Sequence, residues 1–367
     1  MPLQDEIDGM RKEIRTDGYS MSIGEWISLY EKEEIDIHPE FQRFFRWTDN
    51  QKTRLIESIL LGIPIPPVFV SQREDGVWDV VDGLQRLSSI YQFAGILKDE
   101  NNELIDPLIL SATKYLPSLE GMKWNDPYDS DNSLTTAQRL FIKRAKIDVT
   151  MIQKESDQIA KYELFQRLNT GGSLATAQEV RNCIMVMYNK EMFYWVRDLS
   201  QLETFKECVA LTDKALEEQY DLELVLRFIL FRTLDEEDLK KVKDVGVFLT
   251  DKMVEIAQAK KFDFNKEKEA FTTTFNLLHA STGNNSFRKF EASKNRFTGG
   301  FLVSPYETVA LGVGYNYQAL TQNPVDIEAR VKSVWSNDVF GAWSGSGITA
   351  ARRIPRIIPL GRQIFKP

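Results

Sequence analysis

The sequence predicts an α+β protein built from two domains. Up to about residue 190, short apolar runs typical of strands alternate with helical patterns, and beyond that point helical periodicity dominates. At 367 residues the chain is too long for one comfortable hydrophobic core. We therefore expect an α+β domain over residues 1–190 and a mostly α-helical domain with a basic C-terminus over residues 191–367.

Caps, turns and periodicity define the elements of the first domain. Ser22 stands three residues before Glu25, the spacing of a capping box, and Thr48 caps a later helix that Gly62 ends. A Gly76 turn joins two strand-like runs, and residues 99–132 are a loop-rich insertion typical of a surface loop or lid. The predicted helices cover residues 1–15, 22–30, 48–61, 87–97 and 156–168, and the predicted strands cover residues 35–37, 68–70, 77–81 and 145–151.

Composition indicates a soluble cytoplasmic protein. The chain is 43% hydrophobic and 27% charged, and no apolar run approaches the ~20 residues of a membrane helix. Residues 1–15 lack the apolar core of a signal peptide. The two cysteines, Cys183 and Cys208, lie in helical patterns and are expected to be buried packing groups. The sequence allows an oligomer without fixing its size.

Charge is distributed unevenly along the chain. The net charge of −8 argues against a uniformly basic coat for nucleic acid. After Asp338, however, no acidic residue occurs while five basic ones do. This tail is either solvated surface or a contact for phosphate. Its candidate DNA-binding residues are Arg352, Arg353 and Arg356.

The pentapeptide Asp82-Gly83-Leu84-Gln85-Arg86 is the strongest local signal. It lies where a predicted strand turns into a helix, and the first N–H groups of a helix lack partners and face anions favourably. Glycine lets a ligand approach the backbone, arginine forks onto phosphate, and the carboxylate could orient a water or hold a cation. The alternative is a strand–helix corner whose polar residues only cap the helix.

Three similar clusters occur at other element ends: residues 41–47, 166–172 and 178–182. Each pairs arginine with glutamine or asparagine, so a cleft lined by them would suit an anionic ligand, most plausibly a nucleotide. Each also has a structural alternative. The first could form surface ion pairs, the second is a helix C-cap, and the third could be an exposed helix face.

Several other chemistries are excluded by the residues present. Two histidines, His38 and His279, cannot build an HNH-type nuclease site or a His-ligated zinc site, and no metal site is predicted. The chain has no P-loop and no nucleophile elbow. A sulfiredoxin-like kinase acting on a protein thiol would need a reactive cysteine near the turn, and neither cysteine lies in a matching motif.

Residues 20–190 resemble the GmrS-type family, domain of unknown function 262, which is named for its Asp-Gly-Gln-Gln-Arg motif. The resemblance rests on the order and spacing of five motifs. They are Phe41-Gln42-Arg43-x-x-Arg46-Trp47, Leu55-Ile56-x-Ser58-Ile59, Ile63-Pro64-Ile65-Pro66-Pro67, Asp82-Gly83-Leu84-Gln85-Arg86-Leu87 and Phe165-Gln166-Arg167-Leu168-Asn169-Thr170-Gly171-Gly172.

The resemblance implies a ParB/sulfiredoxin-like α+β fold followed by helices. It also implies binding and hydrolysis of a nucleoside triphosphate, ATP or GTP with Mg²⁺, in a bacterial anti-phage or modification-dependent DNA restriction system. Cleavage of DNA would then fall to a nuclease partner. The implied catalytic residues are Asp82, Gln85 and Arg86, and the implied nucleotide-binding residues are Gln42, Arg43, Arg46, Gly83, Asn169, Gly171 and Gly172.

One position departs from the family motif. Leu84 stands where the motif has its first glutamine, and an aliphatic side chain cannot position a water or a base. Nucleotide binding and hydrolysis are therefore separate hypotheses for this chain, unless Leu84 simply points into the core. The alternative function is a non-catalytic module that binds DNA or a partner protein through its arginine clusters.

Overall fold

The structure is a computed structural model that divides into two compact units, residues 1–175 and 176–367. The helices predicted at residues 1–15 and 156–168 lie outside the described residues. The described residues are 16–37, 47–99, 101–152, 176–259, 261–345 and 347–367.

The first unit combines four α-helices with a mixed sheet in its described part. Its strands are β1 (Thr16–Ser22), β2 (Ile35–Asp36), β3 (Val68–Gln72), β4 (Trp78–Asp82) and β5 (Lys146–Ile152). Its helices are α1 (Ile23–Glu31), α2 (Asp49–Leu60), α3 (Leu84–Ala94) and α4 (Thr136–Arg144), with a short 3₁₀ turn at Pro117–Leu119.

The sheet has the order β1-β5-β3-β4-β2. Strand β5 pairs antiparallel with β1 and parallel with β3, while β4 pairs antiparallel with β3 and parallel with β2. The sequence did not predict β1. Because β1 lies at the edge of the sheet with polar, exposed residues such as Asp17 and Ser20, it lacks the alternation that marks a half-buried strand.

The core of the first unit lies where the helices cover the sheet. Trp26 of α1, Ile56 of α2 and Tyr91 of α3 are fully buried. The Tyr91 hydroxyl donates to the Trp26 carbonyl at 3.1 Å, and Tyr30 stacks on the Tyr91 ring with centroids 4.3 Å apart. Each such side chain contributes about 1.5–3 kcal/mol on burial, so α3 is firmly anchored to α1.

The second unit is mostly helical. Its only described strands form a hairpin, β6 (Lys289–Glu291) and β7 (Arg296–Thr298), which the sequence did not predict because each strand has three residues. The helices are α5 (Ala177–Tyr188), α6 (Lys190–Ser200), α7 (Glu203–Val209), α8 (Asp213–Glu217), α9 (Tyr220–Phe231), α10 (Glu236–Lys241), α11 (Val245–Gln258), α12 (Phe264–Ser281), α13 (Val303–Pro305), α14 (Leu311–Tyr315), α15 (Tyr317–Gln322), α16 (Ile327–Val334), α17 (Asp338–Trp343) and α18 (Ala350–Ile364), with a π-helical turn at Tyr306–Ala310 and 3₁₀ turns at Gly283–Asn285 and Ala292–Lys294.

An aromatic core holds the second unit together. The Phe228 ring of α9 contacts Phe271 and Phe275 of α12 at centroid distances of 5.2 and 5.9 Å. Cys208 lies buried in α7 as the sequence predicted, and burial raises the pKa of its thiol to about 12. The Cys183 side chain lies outside the described residues.

Helix α5 packs on α6 and α11 and belongs to the second compact unit. The domain border predicted at residue 190 assigns this helix to the first domain, and that border stays a prediction. The predicted α+β class, with a mixed sheet followed by a mostly helical part, is confirmed. Within the described residues, no helix combines the length and apolar character needed to cross a membrane.

Candidate functional site

The pentapeptide forms a sharp strand–helix corner, which we call the 82–86 corner. Strand β4 ends at Asp82, Gly83 takes the left-handed conformation with φ of 97°, and α3 begins at Leu84. A Cβ at Gly83 would lie 2.8 Å from Cγ2 of Val68. Glycine is therefore required here twice, by its backbone conformation and by the close approach of β3.

Arg86 ties this corner together. Its Nη2 donates to Asp82 Oδ2 at 2.8 Å and to the Pro67 carbonyl at 2.9 Å, so one guanidinium joins the end of β4 to the residue before β3. The Arg86 Nε is buried without a hydrogen-bond partner among the described residues. Asp82 keeps 32% of its side chain exposed, and this carboxylate therefore stays accessible to a ligand.

Gln85 links the corner to the residues that precede α2. Its Oε1 accepts from the Trp47 N–H at 3.0 Å, and Trp47 is the last residue of the predicted cluster at 41–47. The Gln85 carbonyl also accepts from the Ser89 hydroxyl at 2.6 Å. Trp47 thus meets the 82–86 corner, where the Gln85 amide anchors the Trp47 backbone.

The start of α3 has the electrostatics of an anion site. No side chain caps its first turn and that turn contains no acidic residue, while the nearby Asp82 carboxylate is paired with Arg86. Leu84 is partly buried against the core of the first unit. The Leu84 side chain therefore packs, and the polar chemistry of the corner rests on Asp82, Gln85 and Arg86.

The structure brings together four of the predicted site residues, Asp82, Gly83, Gln85 and Arg86. The other predicted nucleotide-binding residues lie outside the described residues, in segments 38–46 and 153–175. These residues are Gln42, Arg43, Arg46, Asn169, Gly171 and Gly172. In the described part of the chain, no three His, Cys, Asp or Glu side chains gather as a metal-binding group would require.

Part of the chain matches a known protein family. Residues 23–186, a little under half of the chain, match the family described as the GmrSD restriction endonuclease N-terminal domain. The match confirms the resemblance inferred from the motifs and indicates a component of a restriction system. No curated protein and no solved structure matches the chain.

Outside the matched residues, the three predicted DNA-binding arginines differ in environment. Arg352 and Arg356 are exposed on α18, with the Arg356 guanidinium 5.4 Å from the centre of the Trp343 ring. Arg353 points inward, where its Nε donates to Glu307 Oε2 at 2.7 Å. Two of the three therefore face solvent, and the third is held in an internal ion pair.

Sequence reasoning missed the group of charges to which Arg353 belongs. We call it the buried Arg–Glu network. Glu307 is fully buried and accepts from Arg227 Nη1 at 2.8 Å, and Glu223 accepts in turn from Arg227 and from Arg181. Burial alone would lower the pKa of Arg227, but the two carboxylates raise it overall. The network consists of Arg181, Glu223, Arg227, Glu307 and Arg353.

Two signals in the sequence could have revealed this network. Glu223 and Arg227 stand four residues apart on one helix, the spacing of an ion pair on a helix face. Glu307 is the only charged residue between positions 303 and 315, in an otherwise apolar helical run.

The cluster at 178–182, which the sequence presented as a site or an exposed face, is buried, with Gln178 accepting from Arg181 at 2.8 Å.

Proposed function

We propose that the 82–86 corner binds the phosphates of a nucleoside triphosphate, ATP or GTP, and that its binding and hydrolysis regulate DNA restriction. One observation carries the proposal: left-handed Gly83 opens a helix whose first turn has no side-chain cap, directly beside the Arg86–Asp82 pair. Helix starts of this kind favour anions, and arginine adds a planar donor for phosphate oxygens.

Each polar side chain of the corner has a separate role in this proposal. Arg86 and the N–H groups at the start of α3 hold phosphate oxygens. Asp82 orients the attacking water or helps to hold Mg²⁺, which proteins commonly bind through one or two carboxylates together with the phosphates of a nucleotide. Gln85 fixes the Trp47 segment against the corner.

The six candidate residues in segments 38–46 and 153–175 enter this proposal through the family resemblance. Gln42, Arg43 and Arg46 directly precede the Trp47 anchor in the chain, which supports a place for them near the corner. Asn169, Gly171 and Gly172 rest on the motif alone. Cleavage of DNA is assigned to a nuclease partner, because the two histidines of this chain do not supply an HNH-type site.

A thermal-shift series with ATP and GTP in the presence of Mg²⁺ tests binding. A ligand at a hundred times its Kd stabilises the folded state by about 2.7 kcal/mol, so the wild-type unfolding temperature should rise. Asp82→Asn should weaken the shift and abolish release of phosphate. Asp49→Asn is the matched control, since Asp49 is also a carboxylate of the first unit that pairs with a nearby basic side chain, Lys52 at 3.0 Å. Wild-type turnover in Asp82→Asn would refute the catalytic role.

The second candidate is a non-catalytic module that binds DNA. Arg352 and Arg356 support it, since both are exposed on α18 while Arg353 is not available. Replacing both exposed arginines by glutamate should weaken DNA binding and flatten its dependence on salt, because fewer counterions are released. Salt-dependent DNA binding that nucleotides do not alter, without any thermal shift, would favour this function over the first.

A further inference from the structure

An apolar groove lies on the first unit, between α4 and the chain that leaves α2. Its volume is about 540 Å³, and none of its lining residues is acidic. One wall is the extended run through Ile63, Pro64 and Ile65, and the other is the face of α4 that carries Leu140 and Phe141. Ile23 and Ile59 also line it.

Large apolar side chains are unusually exposed around this groove. Ile63 on one wall, with Leu140 and Phe141 on the other, are between 42% and 53% exposed. Single exposed apolar residues are ordinary, but a contiguous group beside a groove is typical of an interaction surface. These three residues come from two separate segments of the chain, so the fold brings them together here.

The rim of the groove is basic. Arg144 and Lys146 line it, and Lys143 lies beside them at the end of α4. All three are exposed, and none forms an ion pair with another described residue. From Ser133 to Ile147 the chain contains no acidic residue. The surface thus combines an apolar centre with a positively charged rim.

The proline-containing wall is held in place. Gly62 takes a φ of 70°, which ends α2, and the Ile63 N–H donates to the Ser58 carbonyl at 2.8 Å. Pro64 and Pro66 then restrict the backbone to an extended course. A wall that is already ordered loses little conformational entropy when a partner binds, so the groove is preorganised.

We propose that this groove, defined by Ile63, Leu140, Phe141, Arg144 and Lys146, docks an acidic amphipathic helix of a partner protein. The apolar face of the helix enters the groove and its carboxylates meet the basic rim. In this binding mode, apolar side chains spaced three and four residues apart on the helix fill the groove. Nucleic acid would satisfy the cations, but its backbone offers no aliphatic anchors for the apolar centre. The combination of both features therefore selects a protein segment. This inference is independent of the nucleotide proposal.

The test uses two synthetic helical peptides with the same leucine face, one with glutamates and the other with lysines on the opposite face. Fluorescence anisotropy measures their binding to the full chain. The glutamate peptide should bind and the lysine peptide should not. Phe141→Ser should weaken binding of the glutamate peptide by about tenfold or more, because the substitution removes one buried anchor. Tyr128→Ser, at a residue 98% exposed outside the groove, should leave its binding unchanged.

Charge reversal provides the sharper arm. Arg144→Glu combined with Lys146→Glu should weaken binding of the glutamate peptide and allow the lysine peptide to bind. Three outcomes would overturn the proposal. The first is equal binding of both peptides, and the second is binding that the groove variants do not alter. The third is failure of the glutamate peptide to bind, together with self-association or binding to anionic vesicles that Phe141→Ser abolishes.

Discussion

The 82–86 corner and the buried Arg–Glu network contain the same kinds of side chain in different surroundings. At the corner, one arginine meets one carboxylate that is still a third exposed, next to a helix start with no side-chain cap. In the network, Glu307 is fully enclosed and bound by two arginines. The first arrangement leaves donors available for a ligand, and the second uses them within the fold.

Exposure and free donors separate a candidate binding site from a structural ion pair. Arginine beside glutamine, asparagine or acid at an element end occurs in both regions of the sequence. What distinguishes them is burial and the number of partners, since removing one member of an enclosed ion pair leaves an uncompensated buried charge, which strongly destabilises the fold. We therefore expect substitutions in the buried Arg–Glu network to change mainly stability, and substitutions of the ligand-facing side chains at the 82–86 corner to change mainly ligand binding.

Breaking the buried network should have the largest effect. Glu307→Ala removes the shared acceptor of Arg227 and Arg353 and leaves two buried guanidinium groups without it. The loss should be about 3–5 kcal/mol in the free energy of unfolding, measured by urea denaturation. Glu237→Ala is the control. It removes an exposed carboxylate paired with Lys240, so it should change stability by less than about 0.5 kcal/mol. Equal effects would show that burial does not separate these pairs.

A pair of glycines tests the construction of the corner. Gly83 and Gly76 have similar φ angles, 97° and 89°, but only Gly83 has atoms where a Cβ would be built. Gly76→Ala should cost about 1–2 kcal/mol from the left-handed backbone alone. Gly83→Ala should cost about 1–3 kcal/mol more, because the new methyl group meets Val68. Thermal unfolding of both variants measures the difference, and equal losses would refute the close-packing explanation.

Asp221 provides a smaller, pH-dependent test in the second unit. Burial raises the pKa of this carboxyl, and its Oδ1 has no hydrogen-bond partner among the described residues. The folded state therefore binds a proton more tightly than the unfolded state, and Asp221 lowers stability as the pH rises above about 4. Asp221→Asn should raise the free energy of unfolding at neutral pH by about 1 kcal/mol. At pH 3 the variant and wild type should agree, and a destabilised variant at pH 7 would contradict the assignment.

Much of the corner could be predicted from local sequence. The apolar run that ends at Asp82 and the glycine after it predicted a strand that turns into a helix, as the structure shows. The helix bounds were wrong by three residues. Helix α3 runs from Leu84 to Ala94 because left-handed glycines at positions 83 and 95 begin and end it, and no capping side chain marks its start.

The partners within the buried network could not be predicted from local sequence, because the network joins distant parts of the chain. Glu307 meets Arg227 and Arg353, which lie 80 and 46 residues away. Only packing of the π-helical turn against α9 and α18 brings them together. For the same reason, Arg353 was grouped with Arg352 and Arg356, although one residue along a helix turns the side chain to another face.

The nucleotide affinity of two arginine variants tests whether the 82–86 corner holds phosphate. Arg86 pairs with Asp82 at the corner, while Arg73 pairs with Asp36 in the same sheet, at 2.7 Å and away from the start of α3. Calorimetric titration of ATP with Mg²⁺ should give a Kd for Arg86→Ala that is about tenfold or more above the wild-type value. Arg73→Ala should bind like the wild type. If Arg86→Ala binds nucleotide as tightly as the wild type, the 82–86 corner is a structural turn and the phosphate site lies elsewhere.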